Sequence, residues 1–383
     1  MSPAPTRPSS SPDLRADTLV GAFERAGYGR ATPAILQPAE PFLDLSGEDI
    51  RRRMYLTTDA EGRELCLRPD FTIAVSRDYL ASAKAGTAAQ FCYLGPIFRQ
   101  HADGAGEVPQ AGIESFGRRD IAAADAEMLS LGLEATMLYG IDDPDIRMGD
   151  VGLFAALIAA LDLAPAWKRR LLKDFNRAGR LERDLDLLAV ANGHARSDHQ
   201  AVLAAFAGSD PKAAQALVTD LLSIAGINAV GGRSVNEIAE RFLEQAALGA
   251  SSALPGETRG LIERFLAVAG DPDEAAEQFR LLARDAHLDL DAVLDLFESR
   301  NGFIEARGID VARIRFAASF GIGLDYYTGF EFRLHDPDGR IDRPLVTGGR
   351  YDQLLTRLGA KEPIPAVGLG AWIDRLTACG SPA

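Results

Sequence analysis

The sequence is poor in cysteine, lysine, histidine and long apolar runs. Cysteine occurs three times in 383 residues, as Cys66, Cys92 and Cys379. With no CxxC spacing, these exclude a disulfide framework and a zinc knuckle, and they suit a reducing cytosol, where the chain is expected to work. The five histidines, His101, His194, His199, His287 and His335, show no metal-ligand spacing. His194 and His199 lie five apart, beyond the i, i+4 pair of a helical metal site, so no metal or cofactor is expected. The longest apolar run, 151–161, stops at Asp162, short of the ~18 residues of a membrane span. Residues 1–12 are Ser/Pro-rich without the apolar stretch of a signal peptide and read as a disordered tail. Lysine supplies only five of 41 basic residues, and in so alanine-rich a chain the arginine excess reads as base composition. With 55 acidic residues the net charge is −14. That excludes a protein that coats nucleic acid, though not a local basic cleft. Neither nucleic acid nor membrane is an expected partner.

What remains is ordinary for a soluble globular protein: 47% hydrophobic and 25% charged residues, in a length that suits two or three domains. Three zones stand out. In the first, 13–150, Leu14, Leu19 and Phe23 pattern a helix, and Pro33, Pro38 and Pro41 punctuate an extended stretch. Strands are expected at 64–67 after a turn at 59–62, and at 91–99 and 111–117 around a loop at 100–109, followed by a helix at 123–139. The second zone, 151–308, is nearly all helical. Leu181, Leu185 and Leu188 repeat at helical spacing, as do Leu290, Val293, Leu294 and Phe297. Ser234 with Glu237 makes a capping box before Ile238 and Phe242, Asp271-Pro272 starts another helix, and a Gly/Pro/Ser break falls at 249–255. In the third zone, 309–379, Phe330, Phe332 and Leu334 alternate with Glu331 and Arg333, as in a half-buried strand. A turn at 337–339, a strand at 345–349 and a helix at 371–378 complete it. The fold class is therefore α+β, an antiparallel sheet flanked by helices and interrupted by a helical insertion.

Four segments concentrate polar residues in strand contexts: 67–72, 95–99 continuing at 110–117, 323–329 with 348–352, and 366–376. On a strand through 110–116, Gln110, Gly112 and Glu114 share a face. An amide and a carboxylate above a glycine floor suit a small polar, cationic ligand. Tyr326 and Tyr327 add a wall and a hydroxyl. Arg99 has the fork to pair a carboxylate or phosphate. Gly348-Gly349 marks close backbone approach, since nothing nearby completes a phosphate loop.

In this order, the four segments resemble the catalytic core of histidyl-tRNA synthetase, a class II aminoacyl-tRNA synthetase. Tyr93 to Arg99 is similar to the start of motif 2 and 110–117 to its return strand. Leu324-Asp325-Tyr326-Tyr327 resembles the histidine-binding signature, and Gly368 to Arg375 motif 3. Residues 33–45 with Gly47-Glu48-Asp49-Ile50 resemble the motif 1 dimer segment. The resemblance implies that Asp70 meets the histidine ammonium, a shorter version of the usual Glu. It implies that Thr72, Arg99, Gln110 and Glu114 belong to the amino-acid pocket, and that Tyr326 and Tyr327 flank the imidazole. Arg99 and Arg375 match the arginines that contact phosphate in synthetases.

The departures fall on the nucleotide and tRNA halves. The arginine that precedes Gly-Leu-Asp-Tyr-Tyr in synthetases is Ile322, which has no charge to offer the ATP phosphate. Trp372 replaces a motif 3 glycine where nucleotide approaches the backbone, and the following acidic residue is shortened to Asp374. The loop 100–109 holds Asp103 and Glu107 but no Arg or Lys, and only eight residues follow Arg375, with no room for an anticodon-binding domain. Ile322, Trp372 and Arg375 thus mark a degenerate ATP site. This pattern resembles the regulatory subunits of ATP phosphoribosyltransferase, the synthetase-like family of histidine biosynthesis. It implies a non-catalytic chain that pairs with a short-form catalytic subunit, as a homodimer within a hetero-octamer, and responds to L-histidine. Two alternatives remain: a truncated enzyme forming histidyl-adenylate, and an amino-acid-binding module with another partner.

Overall fold

The computed structural model describes residues 14–101, 106–190 apart from 176 and 178, 256–324 and 326–380, besides 216 and 220. Twelve strands are described: β1 (Gly29–Arg30), β2 (Leu36–Pro38), β3 (Leu56–Thr58), β4 (Glu64–Leu67), β5 (Ala89–Phe98), β6 (Glu107–Phe116), β7 (Asp145–Asp150), β8 (Ala269–Gly270), β9 (Ile314–Ala317), β10 (Phe330–His335), β11 (Val346–Arg350) and β12 (Ala366–Trp372). Nine form one sheet in the order β1-β5-β6-β12-β11-β10-β7-β9-β8, and β2-β4-β3 form a small second sheet. The large sheet is antiparallel through its centre, and two parallel pairs, β1 with β5 and β7 with β9, make it mixed. The expected fold class holds. Among the described residues no helix is long and apolar enough to cross a membrane.

The chain divides into two compact units, Met1–Ala156 with Phe265–Ala383, and Leu157–Arg264. The helical segment expected at 151–308 therefore contributes to both. Helices Pro272–Asp285 and Asp291–Ala306 fall in the unit that holds the sheet. Phe279 and Phe297 pack edge-on against Phe316 of β9, with centroids 5.9 and 5.1 Å away. Arg300 Nε donates to Asp125 Oδ2 at 2.9 Å and its Nη1 to Asp150 Oδ2 at 2.8 Å. Arg350 Nε meets the other Asp125 oxygen at 2.8 Å. All four charges are nearly solvent-free, so each needs its partner in place. Within the second unit, helices Pro165–Asp174 and Arg180–Val190 are tied by Arg170 to Asp184 at 2.6 Å.

Local chemistry accounts for the boundaries. Asp271 Oδ1 accepts from the backbone N–H groups of Asp273 and Glu274, with Pro272 in the first turn. The first helix, Leu14–Arg25, buries Leu19 and Phe23 while Leu14 stays exposed. Several expected limits shift, among them the following two. The loop expected at 100–109 is shorter, because β6 begins at Glu107, opposite Phe98. Its Pro109 faces Pro96, so the two missing donors coincide at one place in the ladder. The helix expected at 371–378 is Ile373–Cys379, because Ala371 and Trp372 pair within the sheet. The tail 1–12, the Ser234–Glu237 capping box with Ile238 and Phe242, the break at 249–255, His194, His199, Asp103 and Asp325 lie outside the described residues, as do the side chains of Leu188 and of Gly47-Glu48-Asp49 in the motif 1 segment.

Candidate functional site

The central strands and the segments leading from them surround a cavity of about 380 Å³. Asp70, Thr72, Arg99, Gln110, Tyr326, Tyr327, Ile322, Trp372 and Arg375 all line it. Nine of the ten residues singled out in the sequence therefore converge on one space, although they come from four separate segments. Glu114 is the exception.

Asp70 sits just before helix Thr72–Leu80 and is 5% exposed. Its Oδ1 accepts from the Ile73 N–H at 3.1 Å, while Oδ2 is buried with no hydrogen-bond partner. Burial raises its pKa and the Arg99 charge opposes the shift. This leaves one buried carboxylate oxygen of a cavity-lining residue without a donor.

Glu114 lies behind the wall. Its Oε1 accepts from Thr72 Oγ1 at 2.8 Å and from Tyr93 Oη at 3.4 Å, and its Oε2 accepts from Tyr351 Oη. Burial pushes its pKa up to about 8, against the pull of the Tyr351 and Thr72 hydroxyls. Space for the side chain comes from its register partner on β12, Gly368, where a Cβ would overlap Oε2. The glycine floor is not open either. Tyr93 is the cross-strand partner of Gly112, and its hydroxyl lies where a Gly112 Cβ would stand, 3.3 Å from the Leu369 carbonyl oxygen. Gly112 makes room for a tyrosine, and that tyrosine and not the glycine lines the cavity beside Gln110.

Tyr326 and Tyr327 form the aromatic side, with ring centroids 4.9 Å apart. Tyr327 packs where a Cβ on Gly349 would stand, which is the close approach marked by the Gly348-Gly349 pair.

At the opposite end, Trp372 fills space between two cations. Arg99 lies 5.3 Å and Arg375 4.1 Å from its ring centre. The indole N–H donates to Thr347 Oγ1 at 3.3 Å. Arg99 Nε donates to the Pro69 carbonyl at 2.7 Å and Arg375 Nη1 to that of Pro344 at 2.6 Å. Burial, with Arg343 and Arg99 nearby, lowers the Arg375 pKa to about 10. The indole thus occupies a cation-lined region of the cavity wall. Ile322 lines the cavity without a charge, and its backbone N–H donates to Glu331 Oε2 at 2.6 Å.

Four residues of this region escaped the sequence reading. Tyr93 and Tyr351 hold Glu114, and their part depends on strand register. Glu331 and Arg333 were expected on the solvent face of β10. Glu331 is instead fully buried, with its pKa raised to about 8 by burial, and Arg333 lines the cavity.

The sheet, its glycine spacing and the tyrosine wall define a histidyl-tRNA synthetase-like protein. The family model described as histidyl-tRNA synthetase matches residues 11–230 and 213–376. A solved Bacillus halodurans structure, described as an ATP phosphoribosyltransferase regulatory subunit/histidyl-tRNA synthetase, superposes with a TM-score of 0.66 at 20% identity, covering 100% of this chain and 84% of that one. Histidyl-tRNA synthetase from Nostoc sp. PCC 7120 superposes at 0.60 and 15% identity, covering 97% and 75%. Sequence relatives are nearer. Proteins named ATP phosphoribosyltransferase regulatory subunit from Brucella canis and Brucella melitensis biotype 1 are 44% identical over 350 residues, covering 90% of this chain and 91% and 90% of theirs. The chain belongs to the family of ATP phosphoribosyltransferase regulatory subunits.

Proposed function

We propose that this chain is a non-catalytic cytosolic subunit that assembles with a short-form ATP phosphoribosyltransferase catalytic subunit and carries its feedback response to L-histidine. The observation that carries this reading is the division of one cavity. Asp70 Oδ2 awaits a donor at the amino-acid end, while Trp372 stands between Arg99 and Arg375 at the nucleotide end. The histidine ammonium would donate to Asp70, and the imidazole would lie along Tyr326 and Tyr327. Glu114, behind Thr72 and Tyr93, sets the hydroxyls that face the ligand. Adenylate formation needs cations waiting at the α-phosphate. Ile322 offers none, and the two motif arginines hold an indole. In the complex, dimers of this chain would form the frame of a hetero-octamer. Histidine binding and catalytic-subunit activity would be coupled reciprocally.

The test is reconstitution with a short-form catalytic subunit, ATP and phosphoribosyl pyrophosphate, with and without L-histidine. Activity should rise when this chain is added and fall again with histidine. No gain from adding the chain would overturn the reading. Histidine-dependent exchange of pyrophosphate into ATP by the chain alone would establish the adenylate-forming alternative.

A further inference from the structure

We propose that Arg333, on β10, is the residue that recognises the carboxylate of the amino acid in this cavity. The proposal rests on histidine occupying the cavity.

Arg333 lines the cavity beside Tyr327, Ile322 and Gly323. Its Nη2 donates to the Gly321 carbonyl at 3.2 Å, and its guanidinium lies 5.1 Å from the Phe320 ring centre. These two contacts fix the plane of the fork. Its Nε is buried and has no hydrogen-bond partner. A buried guanidinium N–H without an acceptor is costly and rare in a native protein. The same-face neighbour on β10, Glu331, does not supply that acceptor. Its Oε2 takes the Ile322 N–H, and its Oε1 is buried and unpartnered. Burial raises the Glu331 pKa to about 8 and lowers that of Arg333; the two groups attract each other, but the Arg333 Nε does not donate to Glu331. The other motif cations serve different ends: Arg99 and Arg375 each donate to a carbonyl and lie over Trp372. The cavity, which Arg53, Arg99, Arg343 and Arg375 also line, then offers an acceptor at Asp70 and a cationic donor at Arg333 beside the tyrosine wall. An α-amino acid carries the matching ammonium and carboxylate.

Calorimetric titration of the full chain distinguishes the roles. The probes are L-histidine and its amino alcohol, in which CH2OH replaces the carboxylate. Arg333→Gln should weaken L-histidine about ten- to hundredfold and leave the amino alcohol within about twofold, as expected for one charge-assisted interaction. Arg333→Lys should recover part of the loss, since it keeps charge but not the fork. Equal loss for both probes in Arg333→Gln would show a merely structural role and overturn the proposal. So would equal wild-type affinity for the two probes. If the wild type binds neither, the histidine reading itself fails and takes this one with it. If it binds L-histidine but Arg333→Gln does so equally well, only the assignment to Arg333 fails.

Discussion

The Arg375 guanidinium lies 4.1 Å from the centre of the Trp372 indole, on a ring that Arg99 also approaches, at 5.3 Å. Stacking of this kind between desolvated groups is worth about 2 kcal/mol or more. Trp372→Ala should lower unfolding stability by about 3–5 kcal/mol, the usual cost of truncating a buried aromatic. Urea denaturation measures this. Trp372 also adjoins the cavity, and the only other tryptophan is Trp167. In a Trp167→Phe background, tryptophan emission should therefore shift on titration with L-histidine. A flat titration, where calorimetry detects binding, would mean that the ligand does not reach this end.

Asp70→Asn should weaken L-histidine about ten- to hundredfold, because the carboxylate charge that meets the ammonium is gone. The analogue without an α-amino group, imidazole propionate, should bind the variant and the wild type alike. Equal loss with both ligands would assign Asp70 to holding the helix start through Ile73 instead.

Burial raises Glu114 and Glu331 to about 8 each, from ordinary values near 4.5. The folded protein then holds protons that the unfolded chain has released between those limits. Stability is fullest below about pH 4.5 for these two groups and falls as pH rises through 8, by up to about 1.4 kcal/mol per pH unit for each. Glu114→Gln mimics the protonated carboxyl. Its denaturation midpoint should exceed that of the wild type at pH 8, and the gap should close towards pH 5. A gap that is constant with pH would show that Glu114 is not the titrating group.

Arg300→Met should cost about 3–5 kcal/mol, since it strands Asp150 in the interior and leaves Asp125 with Arg350 alone. Adding Asp150→Asn should recover part of that loss, because it removes one stranded charge. A purely additive double variant would mean that the two side chains are not coupled.

The sequence carried the fold where local signals were strong. Asp271-Pro272, the Glu64–Leu67 strand and the phenylalanines of β10 all behave as their spacing implies. It picked out Asp70 and Trp372 through the order of motifs along the chain, and both line one cavity. It misled where the answer depends on register or on what covers a strand. Alternation on β10 separates Phe332 from Arg333 but does not reveal that both faces are covered. Helix Ile121–Met137 lies on one side, with Gly132 against the Phe332 ring, and the cavity lies on the other. Gly112 announces close approach, but only its pairing with Tyr93 shows what approaches. The helical zone could not be divided in advance, because the charges that hold Asp291–Ala306 to the sheet unit pair across 150 or more residues.

The Arg350 bond to Asp125 has a consequence at the tyrosine wall. The Thr328 N–H donates to the Arg350 carbonyl at 2.8 Å, and the Thr328 hydroxyl accepts from the Asp352 N–H at 3.0 Å. The residue after Tyr327 is thus moored to a strand whose own side chain is anchored, through Asp125, to Arg300. The ordering entropy of that wall is lost when the chain folds and not when a ligand arrives. Loosening Arg300, which touches no ligand, should therefore weaken binding chiefly through entropy, with little change in the enthalpy of the contacts themselves.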